Sequence, residues 1–282
     1  MCLISFAIRP SDRVQWVVAA NRDESYSRPT QALSEWRSAV GVRVVGGRDL
    51  KDGGVWMAEQ PDTGRVAFLT NVRRGGPESG IKSRGELALA WLHGGDLAAW
   101  TADHDASLYA GCNLVLGDPD QGQWWWLTNR DAQQNELSQW LQKPLAAGVY
   151  GLSNASLDTP WPKTQRLKLA LSTALEPLLN GLSGLAEFDT QMLTALNDRS
   201  VPPEALWPKT HISREAEAAL APVFVHWPAH DYGTRTATVI AKLAGAPSAH
   251  WIERSFDARG SLSATHLYPP DWMSRSAGGA GV

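Results

Sequence analysis

Cys2 follows the initiator methionine directly in this chain of 282 residues. A side chain as small as Cys at position 2 permits removal of Met1, which would leave a thiol and a free α-amine on one residue. An α-amine titrates near ~7.7–8.0 and a free thiol near ~8.5, so the amine can take the thiol proton close to neutral pH. A single residue then supplies both nucleophile and base. The competing use of Cys2 is structural. Free cysteine is among the most buried residue types, and Cys2 opens the apolar run Cys2-Leu3-Ile4-Ser5-Phe6-Ala7-Ile8.

A cysteine that attacks an amide needs four kinds of help, and polar residues at strand ends offer each of them. A cation favours the thiolate, a role open to Arg22 or Arg235. A carboxylate orients the α-amine, with Asp23 the first candidate. Oxyanion donors are needed, and Asn71 and Asn154 carry side-chain amides. A second cation holds a substrate carboxylate or developing charge, the other role open to Arg235. Arg48, Asp49, Trp56 and Arg73, in or beside the same polar loops, are candidates for substrate binding.

The elements that must position these residues are legible in outline. Cys2–Ile8 and Val14–Ala20 flank a Pro10-Ser11-Asp12-Arg13 turn and predict a hairpin. Strands are expected at Val42–Val45, Val55–Glu59 and Val66–Thr70, with Gly-rich turns between them, and the loop from Arg73 to Lys82 lacks an apolar anchor before Ile81. Ser83-Arg84-Gly85-Glu86 has the form of a capping box opening a helix that runs to about His93. Further strands are predicted at Asn113–Gly117, Gln123–Thr128, Gly148–Leu152, Thr234–Leu243 and His250–Phe256. Lys163–Asn180 carries one apolar stripe at three- and four-residue steps, and a weaker helix covers about Thr190–Leu196. Strands, then helices, then strands suit antiparallel sheets with helices packed outside. Residues 1–268 read as one domain, followed by a Gly- and Ser-rich tail over 269–282.

Composition narrows the function classes. Lys and Arg number 26 against 29 Asp and Glu, a net charge of −3, which gives no basic surplus for nucleic acid. Two cysteines, Cys2 and Cys112, make no disulfide framework. No stretch approaches the ~18 apolar residues of a membrane span, and no secretory leader opens the chain. A cytoplasmic protein without a membrane span is expected. The seven histidines are scattered and no Cys-x-x-Cys-His occurs, so no metal site is assigned. The fourteen tryptophans, with Trp124-Trp125-Trp126 in a row, predict rings on both faces of a strand within a Trp-rich core.

Several of these segments, in order from residue 1 to about 240, resemble the NRDE family, which includes the eukaryotic Transport and Golgi organisation proteins. They are Met1-Cys2, Asn21-Arg22-Asp23-Glu24, Gly46-Gly47-Arg48-Asp49, Leu69-Thr70-Asn71, Ser83-Arg84-Gly85, Tyr150-Gly151-Leu152-Ser153-Asn154, Leu157-Asp158-Thr159-Pro160-Trp161-Pro162-Lys163 and Tyr232-Gly233-Thr234-Arg235. The resemblance implies an N-terminal-nucleophile hydrolase fold of class α+β, a four-layer αββα sandwich of two antiparallel sheets between helical layers. Within that superfamily the chain is most similar to the choloylglycine hydrolases and penicillin V acylases, which cleave linear amides of acylated small molecules. That likeness implies Cys2 as nucleophile, with Arg22 and Asp23 beside its thiol and amine. It implies Asn71 and Asn154 as oxyanion and orienting amides, and Arg235 as the late-strand arginine. One departure stands out: Arg22 and Asp23 are adjacent here, where the acylases separate them. Adjacent strand residues point to opposite faces, so both reach Cys2 only through a bend or bulge at Asn21–Glu24. The family's eukaryotic members are also linked to haem trafficking, acyl-CoA metabolism and secretory organisation. This implies an alternative without turnover, a carrier or chaperone for haem or an acyl-lipid or acyl-CoA ligand. No resident cofactor is expected, and the oligomeric state is left open.

Overall fold

The computed structural model describes residues 2–74 and 80–270. The centre of the expected Arg73–Lys82 loop and the tail beyond residue 270 lie outside the described residues. The first elements are strands: β1 (Cys2–Ser11), β2 (Val14–Ser25), β3 (Thr30–Arg37), β4 (Arg43–Asp49), β5 (Met57–Gln60) and β6 (Arg65–Asn71). Helices α1 (Arg84–Leu92) and α2 (Leu97–Asp103) follow. Then come β7 (Cys112–Asp118), β8 (Gln123–Arg130), β9 (Glu136–Pro144) and β10 (Gly148–Leu152). The helices α3 (Pro162–Leu179), α4 (Leu185–Leu196) and α5 (Arg214–Ala219) precede β11 (His226–Trp227), β12 (Tyr232–Leu243), β13 (His250–Phe256) and β14 (Leu262–Tyr268).

The strands form two sheets, every pairing antiparallel. One runs β10-β1-β2-β12-β13-β14, with β11 added to β12, so the late strands do lie beside the first hairpin. The other is the meander β3-β4-β5-β6-β7-β8-β9. Strand alternation sorts the side chains into three buried clusters. Ile4, Phe6, Trp16, Val18 and Ile240 of the first sheet meet Phe68, Val115, Trp124 and Trp126 of the second. Leu3, Ala7, Val17, Ala19 and Val239 face the other way, against Leu167, Leu171 and Phe188 of α3 and α4. Ala67, Leu114, Leu116 and Leu127 pack beneath Leu87, Trp91 and Trp100 of α1 and α2. The result is a helix-sheet-sheet-helix sandwich of class α+β, the layering that the resemblance implies.

The tryptophan run behaves as strand geometry dictates. Trp124 and Trp126 are buried between the sheets, whereas Trp125 turns outward to meet Trp91 edge-on, with ring centroids 5.7 Å apart. Two expectations are corrected. Ser83 is the N-cap of α1, yet its side chain makes no capping bond. Glu86 instead accepts a hydrogen bond from the Tyr109 hydroxyl at 2.7 Å, so the box motif is used to hold a loop. α4 begins at Leu185, five residues before the predicted start, because Leu185 and Phe188 extend its apolar face into the core. The sequence reading also omits β3, β9 and β14, which lie at sheet edges and are half-exposed, and the short helices α2 and α5.

Candidate functional site

Cys2 is the first residue of β1 and lies at one end of the sandwich. It pairs with Arg22 on β2, and the register stays unbroken from there to Ile8. Its side chain belongs to the face that carries Ile4 and Phe6, turned toward the second sheet. There it meets a cavity of about 410 Å³ between the ends of the two sheets and the start of α1. Arg22, Glu24, Arg28, Asp49, Trp56, Asn71 and Arg84 reach the cavity wall beside it.

Arg22 shares the Cys2 face. Its guanidinium lies 4.5 Å over the Trp56 ring. It donates to Thr30 Oγ1 at 3.3 Å and stands 3.6 Å from Asp49 and 3.8 Å from Glu24. The Gly46-Gly47-Arg48-Asp49 segment makes this possible. A Cβ on Gly47 would lie 2.2 Å from the Trp56 ring, so only glycine leaves room for the indole under Arg22. Burial alone would raise the Asp49 carboxyl. Hydrogen bonds from Arg28 and from the Lys51 and Asp52 amides outweigh that and hold it below the usual carboxylate range.

Asp23 takes the opposite face, as alternation requires. Its neighbour Asn21 shows the direction, donating to the carbonyls of Leu196 and Val223 in the helical layer. Asp23 Oδ1 accepts from Thr234 Oγ1 at 2.7 Å, and its carbonyl accepts from the Tyr232 hydroxyl at 2.7 Å. The bulge that would turn both residues to one face is not on β2; the register break lies on the opposing strand, where Thr234 pairs with Asp23 and Thr236 with Arg22, so Arg235 is the extra residue. Since β1 begins at Cys2, Asp23 stands one step beyond the Cys2–Arg22 pair, on the amino side of Cys2. Arg22 thus addresses the thiol side and Asp23 the backbone-nitrogen side.

The electrostatics are those of a guarded thiol. Burial pushes the Cys2 thiol up, and the charges of Asp23 and Glu24 add to that, while Arg22 pulls it down. Burial also raises Asp23, opposed most strongly by Lys163. Lys163, 3% exposed in the first turn of α3, is lowered by burial and by Arg73 to about 8.

The other candidates sit as follows. Asn71 lines the cavity, and its carbonyl accepts from Asn154 Nδ2 at 2.9 Å. Asn154 therefore stands behind Asn71, off the cavity wall, with Ser153 Oγ donating to the Cys2 carbonyl at 3.3 Å. Arg235 donates to the carbonyls of Ser25 and Arg28 and is not among the lining residues. Arg48 stacks over Trp36, 4.8 Å from the ring centroid, also off the wall. Arg73 is buried, 3.0 Å from Glu217 and over the Trp161 ring. Among the substrate-binding candidates, Asp49 and Trp56 alone line the cavity.

Sequence reasoning did not single out Glu24, Arg28, Lys163 or Thr234 as site residues. Lys163 carried a usable signal: a lysine in the first turn of a helix opposes the helix dipole and needs another reason to be there.

The geometry therefore defines a two-sheet αββα sandwich that presents a near-terminal cysteine at the mouth of a charged cavity. The family model for Transport and Golgi organisation 2 matches residues 1–258, and the chain belongs to that family. It is 31% identical over 267 residues to the bovine Transport and Golgi organization protein 2 homolog, covering 85% of this chain and 88% of the bovine one. The human homolog is 28% identical over 266 residues with the same coverage. The Drosophila melanogaster Transport and Golgi organization protein 2 is 22% identical over 290 residues, covering 95% and 97%. The resemblance drawn from the short motifs is thereby established at the level of family. Among the described residues, no helix is long and apolar enough to cross a membrane.

Proposed function

We propose that this chain is an N-terminal-cysteine amidohydrolase of the N-terminal-nucleophile type, acting on an acylated small molecule once residue 1 has been removed. The observation that carries this reading is the division of labour around Cys2. Arg22 shares the face of the thiol in a cavity, while Asp23 flanks the position of the amine. The thiol gives its proton to the α-amine, and the sulfur attacks the substrate carbonyl carbon. Arg22 offsets the thiolate charge, and Asn71 on the cavity wall is the candidate donor to the oxyanion. The C–N bond then breaks as the amine returns its proton to the leaving nitrogen, leaving a thioester on Cys2. Water attacks that thioester, the acid departs, and the thiol is restored.

Arg84 supports a second reading. Its guanidinium donates to the Gly111 carbonyl and pairs with no carboxylate among the described residues, so it is suited to an anionic ligand at the cavity wall. A carrier of an acyl-lipid, acyl-CoA or haem ligand would use the cavity that way, without turnover. A screen of acylated small molecules with wild type, Cys2→Ala and Cys2→Ser separates the two. The hydrolase loses turnover in both variants and keeps its fold. Binding that persists without any turnover in wild type supports the carrier instead.

A further inference from the structure

Behind Cys2, on the helical side of its sheet, four buried ionisable groups gather with the half-buried Tyr232. They are Asp23 of β2, Lys163 of α3, Arg73 after β6, Glu217 of α5 and Tyr232 of β12. The Nζ of Lys163 is closed off from solvent and makes no hydrogen bond among the described residues. A buried ammonium without an acceptor is costly unless opposite charge stands close by. Arg73 repels it, while Asp23, Cys2 and Glu217 attract it. Glu217 is already engaged, since it accepts from Arg73 at 3.0 Å and from the Thr210 amide and hydroxyl at 2.9 and 2.6 Å. Of these attracting charges Asp23 acts most strongly, and it is the carboxylate whose charge Lys163 matches. For Asp23, 1% exposed, burial favours the protonated form, and Lys163 is the strongest charge opposing it.

The fold brings this lysine in on purpose-built packing. A Cβ on Gly151 would lie 2.6 Å from Thr164 Cγ2, so the bare strand β10 lets the first turn of α3 lie against it. β10 pairs with β1, which places that turn beside the start of β1. Trp161, under the Arg73 guanidinium at 4.7 Å, anchors the approach to the helix.

We propose that Lys163 is a positioning residue, the buried counter-charge that keeps Asp23 ionised so that Asp23 can orient the Cys2 amine. Its catalytic meaning rests on the hydrolase reading; the charge pairing does not. The test follows the side-chain carboxyl ¹³C resonance of Asp23, assigned with Asp23→Asn, through a pH titration of wild type, Lys163→Met and Lys163→Arg. In wild type the resonance shows a second inflection near pH 8 as Lys163 loses its proton. Lys163→Arg removes that inflection and keeps Asp23 ionised at neutral pH. Lys163→Met raises the Asp23 midpoint by about one pH unit or more. An unchanged midpoint in Lys163→Met overturns the assignment. If that variant does not fold, a wild-type titration without the inflection and superimposable on Lys163→Arg overturns it equally. On any amide that wild type turns over, Lys163→Met lowers kcat at unchanged KM and Lys163→Arg restores most of it; equal kcat in all three overturns the positioning role. If no protein turns over any amide while the titration behaves as stated, the hydrolase reading fails and the pairing stands.

Discussion

Arg22 stacks its guanidinium 4.5 Å over the indole of Trp56, and that stack holds a positive charge on the sheet face that carries Cys2. Asp23, one residue on, carries its negative charge to the other face. The two neighbours therefore act on the thiol with opposite sign: Arg22 lowers its pKa and Asp23 raises it. Arg22→Gln should slow alkylation of Cys2 by iodoacetamide at pH 8 by about three- to ten-fold, and Asp23→Asn should speed it. Intact mass resolves the site, because Cys112 is fully buried. Shifts of the same sign in both variants would contradict the arrangement.

Trp56 holds its place only because residue 47 lacks a side chain. Gly47→Ala forces the ring away, since the new methyl would lie 2.2 Å from it. Overpacking of this kind costs about 1–3 kcal/mol, which thermal denaturation would register as a Tm lower by several degrees. Cys2 alkylation should slow as well, because Arg22 loses its platform. A variant with wild-type Tm and thiol reactivity would show that the stack does not matter.

Glu253, 2% exposed between the sheets, gives a signature in stability. Burial raises its carboxyl to about 7, against hydrogen bonds from the Leu33 amide and the Thr238 hydroxyl. In the unfolded chain it titrates near ~4.3. Between those values the folded protein retains a proton that the unfolded chain has released. Wild type therefore loses stability as pH rises through that window, on the order of 3 kcal/mol in all by the time pH passes 7. Glu253→Gln, with no proton to lose, should gain stability relative to wild type between pH 5 and pH 8. Denaturant melts at both pH values measure this, and a pH-independent difference would refute it.

What the sequence made legible follows from which physical signal each element carries. β1, β2, β12 and α3 were readable because long apolar periodicity leaves little choice of period. β9 and β14 were not, because edge strands expose alternate polar residues that mimic loops. For the site, motifs located Cys2, Arg22, Asp23 and Asn71, since they sit at strand ends that converge. Motifs cannot say which way a side chain turns. Arg48 and Arg235 belong to motifs as recognisable as that of Arg22, and Arg73 opens a polar loop, yet each is held by other groups away from the cavity wall. The placement of the register break on β12, opposite Arg22 and Asp23, depends on a pairing more than 200 residues distant in sequence.

An N-terminal nucleophile at Cys2 must carry a free amine and take up an acyl group, and both are read from the intact mass of protein tagged only at its C-terminus, before and after incubation with acylated small molecules. Met1 should be absent and wild type should gain an acyl mass removed by hydroxylamine, while Cys2→Ala gains none. Quantitative retention of Met1, or equal acylation of Cys2→Ala, would contradict it.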